Sequence, residues 1–570
     1  MSTINAINSD VQTGIEVSKA FSLQHAFMAL ATIMLAVASG LSQSSHSISN
    51  STPNSEKSFA KPHALTEKWG DQGDGTYVNP ILPGDFSDPD VIRVGDAVYM
   101  ISSTMQYSPG MAVLESRDMV NWKIIGHVVQ DLSAIDRALN WDRMNRPGRG
   151  IWAGSIRFQS GRFWVYFGTP DQGIYVSTAE KPAGPWSAPH LVLAGTGWDD
   201  PCSFRDDDGQ NYLVTTHFSA QGAIQTTYNI HLLKLSSDGL EVLHGYDHVI
   251  HRSEGSEANK LYKVNELYYH YYSEVKPEGR VPMMERSKSL DGPWESQQLM
   301  HVHGALDKEP NQGGLIQMPS DKWYFVSHQG KGDWEGRATV LLPVTWVQGW
   351  PIIGEIGPDG IGNMIWHDWK PVDGLPRRDI ATSDEFSSPE LQPAWEWNYQ
   401  PNAAMWSLRE RPGYLRLYAL PPLRVGHSTS IRNVITQRSL RTSSNQFTVK
   451  LDLAGMTTGQ ESGITHFAKS RAAITVVQSG AIRKLSVAVN GVRTAGPTVD
   501  GTTLWLRSDW DFAGRSHFSF STDGLTYRRL GGNYRMTWGD YRGDRIGIFT
   551  SNASGGGYLD VDLVRYETAR

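Results

Sequence analysis

The sequence contains a single cysteine, Cys202, among 570 residues. One thiol excludes an internal disulfide framework and every metal site built from cysteine ligands. Cys202 follows Asp200-Pro201, and no histidine stands near it in the sequence. We therefore predict a packed strand cysteine rather than a nucleophile.

An excess of positive charge is absent as well. The net charge is −7, the isoelectric point is near 6.2, and no basic stripe is present. This composition argues against a nucleic-acid partner. The sequence also lacks a phosphate-binding loop and a G-x-S-x-G elbow, and the glycines of residues 357–362 have the wrong spacing for a dinucleotide fingerprint.

Long apolar runs are missing except near the start of the chain. Residues 26–38 form an apolar run that is short for a membrane span, Lys19 precedes it, and it ends in small residues typical of a cleavage site. We predict a signal peptide over residues 1–38, a disordered tether over residues 39–76, and a secreted or periplasmic protein without a stable membrane span after cleavage. An uncleaved anchor or a misassigned start codon is the alternative.

No sustained amphipathic helix pattern is present, but a hairpin pattern recurs. It is first seen where Asp88-Pro89-Asp90 leads through two apolar residues to the turn Gly95-Asp96 and then to Tyr99. Four later segments repeat it, led by Gly154, Asp200, Glu257 and Gln312. The first residues of successive segments are far enough apart in the sequence for each unit to contain four strands and their turns. We predict a five-bladed β-propeller over residues 77–370.

The pattern changes after a Pro- and Gly-containing linker at residues 371–382. Alternating apolar runs, separated by Gly- and Ser-rich turns, fill residues 383–570. This spacing favours an antiparallel β-sandwich of the jelly-roll or lectin-like type. The predicted fold class is therefore all-β, with a propeller followed by an accessory sandwich.

Three of the five units begin with acids at equivalent places, Asp88, Asp200 and Glu257. The spacing from Glu257 to Tyr268 is the same as the spacing from Asp88 to Tyr99. Because the first strand of each blade lines the axis, these acids should converge at one end of it. Two carboxyl groups across a cleft can cleave a glycosidic bond, and a third can raise the pKa of the acid by like-charge repulsion.

Several segments resemble glycoside hydrolase family 43, and the match spans roughly the whole predicted propeller. They are Asn79–Leu82 with Gly84–Asp90, Trp152-Ala153, Asp200-Pro201, Glu257 ahead of Lys260–Lys263, and Leu342–Val344. The C-terminal region resembles the β-sandwich that is appended to xylosidase and arabinofuranosidase members.

The resemblance implies an inverting hydrolase with a five-bladed propeller. In it Asp88 would be the general base, Asp200 the pKa-modulating residue and Glu257 the general acid. Arg337 matches an arginine that contacts the reacting sugar in relatives. We assign Trp152 and Gln312 to substrate binding as well. The chain has 20 Trp residues, and we expect a few of them to lie at the open end of the propeller axis and to stack on sugar rings.

Two positions depart from the family pattern. Many relatives carry a histidine before the Gln-Gly-Gly of the fifth unit, and some bind calcium through it, whereas this chain has Asn311. We predict no metal ligand and no required cofactor, with a structural calcium on the axis as the alternative. Glu257 is followed by Ala258 instead of glycine, and Glu254 is followed by Gly255, so Glu254 is a rival for the acid role.

The predicted function is hydrolysis of xylosidic or arabinofuranosidic bonds in saccharides derived from xylan or arabinoxylan. The choice between the two sugars and the oligomeric state stay open. One alternative is a non-catalytic carbohydrate-binding propeller, which would not need all three acids. Another is a retaining fructan-type glycosidase, which needs an Arg-Asp-Pro segment where this chain has Arg205-Asp206-Asp207.

Overall fold

A computed structural model gives the fold of most of the chain, and its regular structure is almost entirely β. The described residues are 65–221, 225–253, 255–302, 310–329, 332–424, 430–539 and 541–569. The predicted signal peptide, most of the predicted tether and Glu254 lie outside them. Short 3-10 turns occur at Leu132–Ala134, Arg137–Leu139 and Ala403–Met405. Within the described residues, no helix is long and apolar enough to cross a membrane.

The first half of the described chain forms five four-stranded antiparallel sheets in sequence order. Sheet 1 contains Asp90–Val94, Ala97–Ser102, Gly110–Ser116 and Lys123–Val129. Sheet 2 contains Gly154–Gln159, Arg162–Thr169, Gly173–Ala179 and His190–Ala194. Sheet 3 contains Trp198–Arg205, Asn211–Gln221, Gln225–Leu235 and Val242–Ser253. Sheet 4 contains Glu257–Val264, Leu267–Lys276, Gly279–Ser287 and Glu295–Gln298, and sheet 5 contains Pro310–Gln317, Trp323–Gln329, Thr339–Val347 and Trp350–Ile353.

The first strands of these sheets contact one another in a ring. Each first strand touches the first strand of the next sheet, and that of sheet 5 touches that of sheet 1. Such a ring, with each sheet radiating outward from its first strand, is the arrangement of a β-propeller. The predicted propeller architecture is therefore confirmed, and residues at the starts of the five first strands are brought together.

Tight turns at the predicted places create the first hairpin of each sheet. In sheet 1, Val94 pairs with Ala97 across the turn Gly95-Asp96, as predicted. In sheet 4, Val264 pairs with Leu267, and both turn residues between them have positive φ values. Two-residue turns of this kind match the right-handed twist of the strands that they join.

The structure differs from the prediction at the end of the tether. Gly70–Asp71 and Thr76–Val78 form a small sheet with His367–Trp369, and the side chain of Trp69 is buried. The Tyr77 hydroxyl donates to the Leu341 carbonyl at 2.9 Å, which ties this segment to sheet 5. The disordered tether therefore does not extend to residue 76. The sequence concealed this because such short strands carry no alternating pattern.

The C-terminal half forms two large sheets, as predicted for a β-sandwich. One has eight strands, in the order Val492–Thr498, Ile482–Val489, Arg471–Ser479, Gln460–Phe467, Arg545–Asn552, Ile435–Arg438, Glu396–Asn398 and Tyr107–Ser108. The other has seven, in the order Trp406–Ser407, Leu415–Tyr418, Tyr558–Thr568, Ser444–Asp452, Thr503–Asp511, Arg515–Ser521 and Arg528–Arg535. The remaining strand pair is Glu355–Ile356 with Gly362–Asn363.

Propeller and sandwich belong to one compact unit. Tyr107–Ser108 lies in the sequence between the second and third strands of sheet 1, and it forms the edge strand of the eight-stranded sandwich sheet. One hydrophobic cluster includes the buried Phe86 and Trp334 of the propeller together with Leu440 and Phe447 of the sandwich. Because this cluster contains residues of both domains, the sandwich stabilises the propeller by burying apolar surface against it.

Candidate active site

A cavity of about 560 Å³ lies where the first strands of the five sheets begin. All six residues that the sequence assigned to catalysis or substrate binding line it, namely Asp88, Trp152, Asp200, Glu257, Gln312 and Arg337. Each sheet contributes to the wall at least one residue from its strands or from the segments next to them. The ring of strands therefore brings together side chains that are up to 249 residues apart.

Asp88 is buried and held from two sides. Its Oδ2 accepts from the Ser103 hydroxyl at 2.7 Å, and its Oδ1 accepts from Arg337 Nη1 at 2.8 Å. Its backbone N–H donates to His328 Nδ1 at 2.7 Å. Burial, followed by the charge of Arg337, lowers the pKa of His328 well below its ordinary value. His328 is therefore neutral, and its Nδ1 is free of a proton and can accept this bond.

Asp200 is buried with both oxygens bonded. Oδ2 accepts from the Ala258 N–H at 2.6 Å, and Oδ1 accepts from Gln312 Nε2 at 2.8 Å. Burial raises the pKa of Asp200 to about 6, with Glu257 as the strongest charged contributor and Lys260 opposing the rise. The carboxyl of Glu257 is thus close enough to act on Asp200 through its charge.

Glu257 is more exposed to the cavity than the two aspartates. Its Oε1 lies 3.4 Å from Arg280 Nη1, and Arg280 in turn donates to the Gly255 carbonyl at 2.7 Å. Tyr228 stands on the same side, and burial, followed by the charge of Glu257, raises the pKa of its hydroxyl. The sequence did not identify Arg280 and Tyr228 as site residues, because both lie in third strands and not in the segments that open the repeated hairpins.

The acids lie at a backbone kink near the start of the first strands of sheets 1, 3 and 4. Asp88, Asp200 and Ala258 adopt φ values of +55°, +49° and +73°, a conformation that non-glycine residues rarely take. In sheets 3 and 4 the strand register also shifts at this point. Such local strain is retained where the surrounding structure enforces it, and it commonly marks a functional site.

The register corrects the predicted repeat alignment by one residue. Lys260 pairs with Tyr271 as Cys202 pairs with Val214, so the counterpart of Asp200 in sheet 4 is Ala258. Glu257 stands one residue before the equivalent place. The equal spacing of Glu257 to Tyr268 misled the alignment, because the matching tyrosine is the next one along the chain.

A loop of the sandwich completes the cavity wall. Between Arg528–Arg535 and Arg545–Asn552, the chain places Trp538 and Tyr541 in the cavity. The ring centroids of Tyr541 and Trp152 are 6.1 Å apart. The guanidinium carbon of Arg337 lies 5.9 Å from the centroids of both sandwich rings. No signal in the sequence could link this loop to the acids, since only the packing of two domains brings it there.

A guanidinium group lies beside the first strands of the propeller. Arg157 donates from Nη1 to Asp90 Oδ2 at 2.8 Å and from Nη2 to Cys202 Sγ at 2.7 Å. This half-buried guanidinium disfavours a second positive charge beside it. No cluster of three potential metal ligands occurs among the residues that the structure describes. Cys202 is fully buried, as expected for a packed strand cysteine.

Comparison with known families gives two matches that divide the chain. Residues 77–351 match the glycosyl hydrolases family 43 model, and residues 383–567 match the β-xylosidase C-terminal concanavalin A-like domain. The second match agrees with the observed sandwich.

Individual relatives cover most of the chain. A β-xylosidase of Formosa agariphila is 33% identical over 568 residues, covering 91% of this chain and 95% of the relative. A non-reducing end α-L-arabinofuranosidase of Bacteroides ovatus is 32% identical, covering 60% of this chain and 65% of the relative. The solved structure of a family 43 protein from Bacillus licheniformis has a TM-score of 0.72 at 25% identity, covering 87% of this chain and all of that one. The chain therefore belongs to glycosyl hydrolase family 43.

Proposed function

We propose that this enzyme hydrolyses β-xylosidic or α-L-arabinofuranosidic bonds with inversion at the anomeric carbon. The observation that carries the proposal is the convergence of Asp88, Asp200 and Glu257 in one cavity lined by aromatic rings. An inverting glycosidase needs a base and an acid on opposite sides of the sugar, with room for a water molecule. Relatives named β-xylosidase and α-L-arabinofuranosidase support the choice of pentosides.

Asp88 acts as the general base. Its two hydrogen bonds, from Ser103 and Arg337, fix the direction of the carboxylate, and an ionised carboxylate keeps further lone pairs for a water molecule. The base removes a proton from this water as the water attacks the anomeric carbon. Arg337 holds the carboxylate by a charge-assisted bond, so its loss would disturb the base as well as the sugar contact.

Glu257 acts as the general acid and gives its proton to the leaving oxygen. Its greater exposure to the cavity suits a group that must reach the bond to the departing sugar. Asp200 transfers no proton. Its charge, close to Glu257, disfavours a second negative charge in the cavity.

Trp152, Gln312 and Arg337 bind the sugar in the cavity. Trp152 offers a ring face beside Tyr541, and sugar rings stack on such apolar faces. Gln312 donates one amide hydrogen to Asp200, so its remaining amide groups can serve a sugar hydroxyl. A non-catalytic binding propeller would have no use for the acid trio, and family 43 membership does not favour the retaining fructan-type alternative.

We further propose export by the apolar segment at residues 26–38 and catalysis without a metal cofactor. Both rest on the sequence, and the second also on the guanidinium beside the axis. Amino-terminal sequencing of the exported protein should give a first residue close to position 39. Dialysis against a chelator should leave activity and thermal stability unchanged, and losses that added calcium reverses would contradict the proposal.

A panel of aryl glycosides tests the function. The 4-nitrophenyl β-xyloside, α-L-arabinofuranoside and β-galactofuranoside should be offered to the full chain, with Asp88→Asn as the blank. We expect hydrolysis of the xyloside, the arabinofuranoside or both, and none by the blank. Failure to cleave either pentoside would overturn the proposed substrate class.

A further inference from the structure

The corrected register reveals a second acid in the structural place of Glu257. In sheet 4, Glu257 pairs with Ser273, two residues beyond the partner of Lys260. In sheet 3, Asp199 pairs with Thr216, which is likewise two residues beyond the partner of Cys202. Asp199 is therefore the counterpart of Glu257 in the neighbouring sheet, and both line the cavity.

The surroundings of Asp199 leave one oxygen of its carboxyl group without a partner. Its backbone carbonyl is held by the Thr215 hydroxyl at 2.6 Å. Its Oδ1 is buried and has no hydrogen-bond partner among the described residues. Gly168 stands against this oxygen, because a Cβ at position 168 would lie 2.8 Å from Oδ1. The carboxyl group therefore packs against Gly168, while Oδ1 accepts no hydrogen bond from the described part of the chain.

We propose that Asp199 is a specificity-determining residue whose carboxyl group hydrogen-bonds a hydroxyl of the pentose in the cavity. The inference rests on the proposed function, since it needs a sugar in this site. It assigns Asp199 no proton transfer. Asp88 and Glu257 already supply the base and the acid, and a third reacting carboxyl would have no step to perform.

A sugar hydroxyl suits this carboxyl better than a charged group would. Asp200 is the next residue, and Glu257 and Asp88 add further negative charge nearby. Burial first, and Asp200 second, raise the pKa of Asp199 well above its ordinary value, which favours the neutral form of the group. A neutral carboxyl can donate one hydrogen bond and accept another, which matches the two roles of a hydroxyl.

The test uses the full-length enzyme and aryl pentosides that each lack one hydroxyl. For the pentoside that the wild type cleaves, kcat/KM is measured on the parent and on each monodeoxy analogue. The variants are Asp199→Ala, Asp199→Leu, which keeps much of the side-chain volume, and Asp199→Asn, which keeps a donor and an acceptor. Asp207→Ala is the control, because Asp207 lies exposed near the far end of the same strand. Thermal unfolding checks that each variant is folded.

We expect the wild type to prefer the parent over one particular analogue by about 10- to 100-fold. Asp199→Ala and Asp199→Leu should abolish that preference and leave the preferences at the other hydroxyls intact. Asp199→Asn should restore it in large part, and Asp207→Ala should match the wild type. If Asp199→Ala does not fold, the leucine variant supplies the same comparison.

A loss of equal size on every analogue, or no loss on any, would overturn the proposal. The first result would assign Asp199 a purely structural effect on Asp200, and the second would leave it outside the binding site. Both differ from a failure of the proposed function, in which the wild type itself would cleave no parent pentoside.

Discussion

The propeller and the sandwich contribute to the same cavity in different ways. The propeller supplies every carboxyl group of the site from the starts of its first strands. The sandwich supplies two aromatic rings, Trp538 and Tyr541, from one loop. Repeated strands fix acids at set angles around an axis, whereas a single loop can adjust the rim to one sugar. The comparison indicates that the acids of the cavity belong to the repeat, whereas the second domain adds aromatic rings to its wall.

The sandwich also holds the segment that leads to Asp88. Arg438 Nε donates to the Asp85 carbonyl at 2.7 Å, and the Asp85 carboxylate accepts from the Ser87 hydroxyl at 2.9 Å. Arg438 and Arg545 share the buried carboxylate of Glu396, at 3.0 and 2.7 Å. Burial acts to raise the pKa of Glu396, but the two arginines outweigh it and hold the pKa well below its ordinary value.

The largest expected effect separates the two residues of the propeller that we propose as base and acid. Asp88→Asn should lower kcat by about 10³-fold or more on every substrate, because water must be activated whatever the leaving group. Glu257→Gln should nearly abolish cleavage of xylobiose, a poor leaving group, yet spare much of the activity on a dinitrophenyl xyloside. The same pairing of good and poor leaving groups serves if arabinofuranosides are the substrate. Steady-state kinetics on both substrates measures the difference.

The rival acid provides the control for this experiment. Glu254→Gln should lower activity on neither substrate. If it showed the leaving-group-dependent loss instead, the acid role would pass from Glu257 to Glu254.

The second effect is on stability and tests the sandwich's hold on the propeller. Arg438→Met leaves the buried Glu396 carboxylate with one arginine fewer, so the free energy of unfolding should fall by about 3–5 kcal/mol. Urea unfolding of the full chain measures it. The exposed Arg528→Met in the sandwich should stay within about 0.5 kcal/mol of the wild type. Equal stability of the two variants would show that the buried arginine is dispensable.

Acid unfolding should report the same buried cluster. The folded-state pKa of Glu396 is depressed, so its contribution is complete above about pH 4.3 and declines as the pH falls toward the folded value. Glu396→Gln cannot titrate and should show a shallower loss of stability below about pH 4.3 than the wild type. A parallel loss in both proteins would contradict the assignment.

A smaller effect is expected at the rim. Trp538→Ala or Tyr541→Ala removes one of the two rings beside Arg337, so kcat/KM should fall about tenfold while the acid and base stay in place. Leu525→Ala is the matched control, because Leu525 is 86% exposed in another sandwich loop. A loss in the control as large as in the rim variants would assign the effect to the fold.

The smallest effect concerns Asp200. Asp200→Asn removes a negative charge beside Glu257, so the alkaline limb of the pH–rate profile should move to lower pH. The acidic limb, which reports the base, should move much less. An alkaline limb that stays in place, with only KM altered, would reassign Asp200 to substrate contact.

Much of the fold could be predicted because its signals are local. The turn Gly95-Asp96 between alternating apolar residues indicates a hairpin without any knowledge of the rest of the chain. Repetition of that signal then predicted the propeller and the convergence of Asp88, Asp200 and Glu257. The same reasoning misaligned Glu257 by one residue, because the strand pairing makes Tyr269, and not Tyr268, the counterpart of Tyr212.

The parts that sequence could not supply depend on contacts between distant segments. The loop that carries Tyr541 packs closely on the propeller at Gly543, where a Cβ would lie 2.3 Å from the Glu335 carbonyl carbon. Asp199 was overlooked for a different reason. It stands beside the predicted Asp200, and only the strand pairing identifies it as the counterpart of Glu257.

The stereochemistry of the first product tests the central claim most directly. Proton NMR should follow the anomeric signals during the first minutes of hydrolysis of the best aryl pentoside, before mutarotation mixes the anomers. With Asp88 acting through water, the first sugar released should have the configuration opposite to that of the substrate, α-xylose from a β-xyloside. A first product that retains the configuration of the substrate would contradict the account.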